Sequence, residues 1–517
     1  MRRTWTRADL QGASLWWVAS LSVGGRVYRW AESPLEVTSD DGDLAIAGGL
    51  QNAAISQVAP WMGGAPESRQ VSLDLMPSAV GMNPASLLSS RYMLDRAPVE
   101  VALWRAGDAW EERQVLLQGL VVGYDWGGPD EVLTIEGEES AQQDRGLLPF
   151  PGAVVSSTTW PYAAPPAGGL YYPVILGAPG PVAATPALMV ESTVQGGASD
   201  LLLVAGHQVS ATSVTVYDGS AFEVLAVSTT TDGVGRVVSV VDLGTATTIA
   251  VDPTIAYQVG WASAGILAIS GAAPATGAGS ILEVVLAQST LPVDRGSLAS
   301  VRDALNSYLL GAFVQQQLSP FEWVTQAVLP LLPIAILTGP DGWRILPIPV
   351  TPTEADCQGS IQAGDGYTQA IRLDRARRAG FDEIANEIQI KYALDTQTNA
   401  SSETALLSGA GWDGVAHTDL ASQLSQQTYG RRVKSLETVA VYDSSTAYRI
   451  LRWQSIAYAF SRSLLRYSLA QEYFFLRPGL VWVQDSVLQI DAAGWIQRLD
   501  FTTDGRVEVE IVIWSTP

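Results

Sequence analysis

Val71-Ser-Leu-Asp-Leu75 alternates apolar and polar side chains, the period of a strand with one face in a core. Across the first 150 residues the same signal repeats in short runs. Leu15–Leu21 and Arg26–Trp30 flank Gly24-Gly25, which predicts a hairpin. Pro98–Trp104, Gln114–Gly123 and Asp130–Gly137 follow, with Arg105-Ala-Gly-Asp108 as a turn. Short strands joined by glycine turns suit a small barrel or sandwich. Pro84–Leu94 reads as a helix capping one opening, with Asn83 as N-cap and Pro84 at its first position.

The pattern changes four times along the chain. From Pro149 to Pro186 proline and glycine are dense, which predicts a connector around the short extended piece Tyr171–Gly177. Asp200–Val204, Ser213–Tyr217, Glu223–Val227 and Arg236–Val241 then read as strands of an all-β insert, with turns at Asp218-Gly219 and Asp232-Gly233. Residues 253–282 carry no charge and predict buried strands joined by a flexible loop. Helical spacing appears over Ser297–Leu310, and Ser319-Pro-Phe-Glu322 carries a capped helix start. Thr338–Trp343 turns into a strand over Trp343–Ile348.

The last third begins with the strand Glu387–Tyr392 and continues through a polar stretch, 393–428, read as loop. A long amphipathic helix is predicted from Thr446 to Leu465. Its apolar stripe runs through Ala447, Ile450, Leu451 and Ala457, while Trp453 and Phe460 lie off it. Such a helix suits a subunit interface or burial within its own domain. The chain closes on the hairpin Ile496–Phe501 and Arg506–Ile513 around Thr502-Thr-Asp-Gly505. No fixed-period repeat is found.

The expected class is mainly β (α+β), because Val, Ile, Trp and Tyr favour pleated surfaces. The expected units are an N-terminal barrel-like domain at 1–150, a connector at 151–186, the all-β insert at 187–262, a mixed helical and strand middle at 263–379, and a C-terminal barrel-like domain with the long helix at 380–517.

Composition narrows the chemistry. At 47% hydrophobic residues the 517-residue chain can bury large cores. The net charge of −22 argues against specific nucleic-acid binding, which needs a basic footprint. Its plain reading is solubility, and a sharper one is a surface that DNA passes without sticking. One cysteine, Cys357, and two histidines, His207 and His417, leave no His/Cys metal site and no internal disulfide. Both histidines read as turn or loop residues. The most apolar run, Val328–Leu337, is half the length of a membrane span and holds two prolines, so no stable membrane insertion is expected. The chain reads as made in the cytoplasm and soluble there.

Catalytic signals are missing. There is no Gly-x-Ser-x-Gly elbow, no P-loop at Lys391 or Lys434 and no His-Glu-x-x-His. No catalytic, cofactor or metal residue is assigned. Carboxylate pairs are open at this stage, since 52 acids make chance pairs inevitable. Trp5, Trp16, Trp17, Trp61, Trp104, Trp110, Trp126 and Trp160 serve either as core aromatics or as platforms for sugar rings. A carbohydrate-binding receptor protein or a glycoside hydrolase is therefore the alternative reading. Arg372-Leu-Asp-Arg-Ala-Arg-Arg378 is the strongest basic cluster, either a salt-bridged surface strand or a contact with an acidic neighbour.

Four phrases carry a resemblance to the hub proteins of phage tails and baseplates. They are Val115-Leu-Leu-Gln-Gly-Leu120, Ile384-Ala-Asn-Glu-Ile-Gln-Ile-Lys-Tyr392, Tyr429-Gly-Arg431 and Leu476-Arg-Pro-Gly479. The resemblance covers the first 150 residues and the final 135. It implies two tail-tube-like β-barrel domains around the helix-containing middle. It also implies a non-enzymatic homotrimer whose ring of six barrels joins a sixfold tube to a threefold tip around the DNA passage. Implied neighbours are the tail tube and distal tail proteins, a central fibre or tip protein, and the tape-measure protein. The implied location is the virion tail tip or baseplate. Some relatives hold a cysteine-bound metal cluster, which a chain with one cysteine does not carry over.

Overall fold

The computed structural model describes residues 5–513 without 62–68, 84–93, 128–131, 140–145, 147, 149–152, 181–184, 262–275, 291, 338–341, 365–370, 396–399 and 409–416. The helix expected over Pro84–Leu94 thus falls almost wholly outside the described residues.

The N-terminal unit is built from β1 (Leu15–Val23), β2 (Arg26–Ala31), β3 (Leu35–Ser39), β4 (Gly42–Gly48), β5 (Leu50–Val58), β6 (Gln70–Leu75), β7 (Pro98–Arg105), β8 (Gln114–Gly127) and β9 (Val132–Glu139). Alternation works as the sequence predicts: Val71, Leu73 and Leu75 of β6 are buried, while Ser72 and Asp74 point the other way.

β10 (Val174–Gly177) leads into a closed six-stranded barrel. Its strands are β11 (Thr185–Glu191), β12 (Leu201–Ala205), β13 (Ser213–Tyr217), β14 (Phe222–Thr231), β15 (Val237–Asp242) and β16 (Tyr257–Gly260), in the order β11-β12-β15-β14-β13-β16. Closure removes the free edges that an isolated small sheet would expose. The uncharged stretch after β16 does not continue as strands only, since Ala278–Leu286 is a helix with Ile281, Leu282 and Val285 buried. Arg295–Leu305 is the next helix, capped by Asp294, whose carboxylate accepts the N–H groups of Gly296 and Ser297. Ser319 caps Pro320–Trp323 by accepting the N–H of Glu322 at 3.1 Å.

His207 fastens the barrel to β10. Its Nε2 accepts the Ile175 N–H at 3.0 Å, and Nδ1 lies 3.0 Å from the Gln208 carbonyl oxygen. That pair fixes the neutral tautomer with the proton on Nδ1. Burial pushes the imidazole down to about 4. A proton added to Nε2 would face an N–H donor. The unfolded chain, titrating near 6.5, binds that proton earlier than the folded one, so stability falls as pH drops from about 6.5 to about 4. The expected loss is as much as about 3 kcal/mol. Denaturant midpoints at pH 7 and pH 4.5 check this, with His207→Gln expected to flatten the slope.

After the barrel, β17 (Gly311–Val314) pairs back on β10, and β18 (Ile334–Leu337) forms a hairpin with β19 (Arg344–Pro347). β20 (Ser360–Ala363) and β21 (Ile371–Arg378) follow. A four-stranded sheet then combines β22 (Glu387–Asp395), β23 (Ala400–Ser408), β24 (His417–Thr418) and β25 (Val433–Glu437). The stretch read as loop therefore contains a strand pair and the helix Leu420–Tyr429. Asp419 caps that helix by accepting the Ser422 N–H at 3.0 Å.

The long helix runs over Ser444–Tyr458, shorter than predicted, because Ser463–Leu465 already belongs to β26 (Ser463–Ala470). It is covered on two sides by its own chain. Ile450 and Leu451 share a core with Ile388 and Ile390 of β22. Off that stripe, Trp453 donates its indole N–H to the Leu331 carbonyl at 2.7 Å. The chain ends on β27 (Gly479–Asp485), β28 (Ile490–Thr502) and β29 (Arg506–Ile513).

The strands of the two ends meet in one sheet of fifteen strands. Its path is β21-β26-β29-β28-β5-β6-β9-β8-β7-β1-β2-β4-β3, with β27 and β20 branching from β28. β20 and β21 join this sheet, while strands and helices from 387 to 458 pack with the middle of the chain. One core serves both ends, with Trp17, Leu73 and Leu117 beside Tyr467, Leu499 and Val509.

Candidate functional site: the polar face of the shared sheet

β28 is long because it does two jobs. Its first half pairs with β27, and its second half pairs with β5 of the N-terminal unit, Arg498 opposite Val58 and Thr502 opposite Ala54. Phe501 lies opposite Ile55 at this junction, and both are buried. Around it the Trp495 indole donates to the Ala59 carbonyl at 3.1 Å, and the Arg7 guanidinium reaches Glu472 at 2.5 Å while lying 4.8 Å from the Tyr473 ring centre. Fixed side chains thus bind the two units together.

On the face away from this core the strands β26, β29, β28, β5, β6 and β9 present polar residues. Asp74, Glu136, Glu138, Asp500, Glu508 and Glu510 stand there with Arg466, Arg498 and Arg506, exposed or half-buried. Six carboxylates face three guanidinium groups. Arg466 pairs with Glu508, and Arg498 pairs with Asp500 at 2.8 Å. Asp74 accepts the Thr134 hydroxyl at 2.8 Å. The remaining excess on these six strands is negative, while β21 at the end of the sheet adds Arg372, Arg375 and Arg377 to the same face, opposite Ser468, Arg466 and Leu464. Chemically this is an acidic and hydrophilic wall, with one open hollow between β28, β5, β6 and β9 lined by Ser56, Gln70, Glu136, Glu138, Arg498 and Asp500.

The four phrases singled out from the sequence fall into structural roles. Asn386 is fully buried and ties two of them: its amide donates to the Gly430 carbonyl at 2.8 Å and its carbonyl accepts the Arg432 N–H at 2.7 Å. Beside it Arg431 grips Glu387 through two bonds of 2.6 and 2.5 Å, which lowers the Glu387 carboxyl. Leu476-Arg-Pro-Gly479 is held by Gln358, which exchanges two hydrogen bonds with the Arg477 backbone at 2.7 and 2.9 Å. Gly479 takes φ 132 to enter β27, a conformation that favours glycine. Val115–Leu120 lies in β8, with Leu116 and Leu117 in the shared core.

Of the tryptophans offered as sugar platforms, Trp5, Trp17, Trp61, Trp104, Trp110 and Trp160 are buried, while Trp16 and Trp126 are half-buried and pack against the edges of two cores. Buried acids are likewise engaged. Asp485 accepts the Tyr467 hydroxyl and the N–H groups of Val487 and Leu488, and Asp232 accepts the Tyr172 hydroxyl and the N–H groups of Val234 and Arg236. Among the described residues no group of three His, Cys, Asp or Glu could hold a metal ion, and no helix is long and apolar enough to cross a membrane. His207 is the residue whose part the sequence understated; nothing in its Ala-Gly-His context signals the bond to β10.

No protein family matches the sequence, and no curated protein does. Among solved structures the chain is similar to a tail protein from Neisseria meningitidis MC58, at 8% identity over 96% of each chain with a TM-score of 0.40. It is similar to the 43 kDa tail protein of prophage MuSo2 from Shewanella oneidensis, at 13% identity over 96% of each chain with a TM-score of 0.36. A prophage tail protein, gp18, from Listeria monocytogenes EGD-e matches at 9% identity over 93% of this chain and 94% of its own, with a TM-score of 0.36. These neighbours are all tail proteins. Their overlap with this chain is loose.

Proposed function

We propose that the chain is a structural hub of a phage tail tip or baseplate. Three copies form a ring that joins the sixfold tail tube to threefold tip components, with the acidic face of the shared sheet lining the DNA passage. One observation carries the reading: two β units of one chain fuse edge to edge at β28 and β5 into a single sheet, whose outer face is polar around that junction and covered by apolar clusters only towards Trp495 and Trp104. Open sheets rarely exceed about ten strands without curling or splitting, so a wall this wide fits one segment of a larger closed ring. The hub-like phrases support it by forming the clamps around that sheet and its neighbour. An excess of carboxylates on the wall repels a DNA backbone mildly, over a Debye length of about 8 Å at physiological salt.

Ring neighbours in this reading are the tail tube and distal tail proteins, the central fibre or tip protein, and the tape-measure protein. The six-stranded barrel, β11 to β16, serves as an outward decoration. A quantitative protein census of purified particles tests the reading. It predicts three copies per tail; six copies, or none, would contradict it.

A further inference from the structure

The two ends of the chain repeat one strand module. In sheet order, β21-β26-β29-β28 matches β5-β6-β9-β8, and in chain order the two sets also agree, with β27 matching β7. A shared irregularity fixes the alignment: β28 is bulged between Ile496 and Arg498, and β8 between Val121 and Gly123. Counting from those bulges along the paired rows, Arg498 corresponds to Gly123, Asp500 to Asp125, Ala54 to Arg375 and Ser56 to Arg377.

One junction in this repeat is filled and its counterpart is open. The second half of β28 pairs with β5. The second half of β8, from Val122 to Gly127, has no strand beside it on the side away from β9 among the described residues, since β7 reaches only to Leu120. β21, the counterpart of β5, is the free edge at the other end of the sheet. Arg375, Arg377 and Arg378 are exposed there, with no acidic partner among the described residues; Arg372 pairs with Asp374 at 2.7 Å. Four arginines on one edge repel a second copy of that same edge, so pairing of like with like is disfavoured. The open half of β8 carries the exposed Asp125, opposite Thr134 of β9, with Glu136 opposite Gly123.

We infer that β8 of one copy pairs antiparallel with β21 of the next copy, repeating between chains the β28–β5 junction found within the chain. The register of that junction, with Asp500 opposite Ser56, sets Asp125 opposite Arg377, Gly123 opposite Ala379 and Gly127 opposite Arg375. Both charged side chains of the first pair then project onto the polar face and form a cross-strand ion pair. A head-to-tail contact of this kind uses two different surfaces and closes into a ring when the rotation permits. The inference rests on the ring proposed above and names the strands that close it.

The test uses the full-length chain, assembled alone and within tails. Asp125→Cys and Arg377→Cys are placed in separate copies, mixed and oxidised. Covalent dimers containing one of each variant are expected, and none from either variant alone. The native Cys357 is a quiet background, its thiol pushed up to about 11 by burial. Reversing one charge, Asp125→Arg or Arg377→Asp, should weaken association by about tenfold. Combining both reversals in one chain should restore it. Both sites are exposed, and unchanged melting temperatures confirm that the variants fold. Rings that form without the Cys–Cys link, or a double reversal that fails to rescue, would overturn the β8–β21 contact and leave the ring standing. A chain found single in solution and single in the tail would overturn the ring itself, and the contact with it.

Discussion

Replacing Phe501 by alanine should destabilise the chain by about 3–5 kcal/mol, the usual cost of emptying a buried aromatic site. Phe501 is 2% exposed and packs with the Phe474 ring at 5.6 Å, in the core that both ends of the chain share. It also lies opposite Ile55 across the junction of the two units. The cavity would therefore open at the place where they are fused. Denaturant unfolding followed by Trp fluorescence measures the loss. Because the core is continuous, the two ends should still unfold in one transition, whereas two separate transitions would mean that they are independent domains. Phe501→Leu refills part of the space and should cost about half as much or less.

The second large effect is expected at Asp485. The carboxylate is 3% exposed and accepts the Tyr467 hydroxyl at 2.8 Å and the N–H groups of Val487 and Leu488 at 3.0 and 2.9 Å. Asp485→Ala leaves three donors without an acceptor, two of them on the backbone of the turn after β27. The expected cost is about 3–5 kcal/mol, since each buried orphan donor forfeits its desolvation as well as its bond. Asp485→Asn keeps one acceptor and should fall between alanine and the native chain. Midpoints of both variants equal to that of the native chain would show that the bonds contribute nothing.

Much of the fold was legible in the sequence for a local reason. Strands with one buried face reveal themselves by alternation, as Val71–Leu75 does, and a glycine turn marks the closing hairpin Ile496–Phe501 and Arg506–Ile513. Caps announced the helix at Ser319 in the same way. The polar stretch after Tyr392 misled because β23 opens with four exposed or half-buried polar residues, Ser401 to Thr404, and buries only Ala405 to Ser408. Asp419, three residues before Ser422, was the available sign of the next helix.

The junction and the repeat were not legible, and the reason is geometric. Between β21 and β26 the chain inserts β22 to β25 and two helices, so the repeated strands have no constant spacing. Few side chains repeat: Asp500 matches Asp125, but Arg377 stands where the other module has Ser56. Only pairing registers and bulges show the correspondence. The Arg372–Arg378 cluster was visible from the start, but that it is a sheet edge depends on residues far away in sequence.

An image of the assembled tail tip at side-chain resolution tests the central claim most directly. It should show three copies of this chain in one ring, with Asp74, Glu136, Glu138 and Glu508 facing the passage. A passage lined by an excess of guanidinium groups, or a ring whose shared sheet turns this face outward, would contradict it.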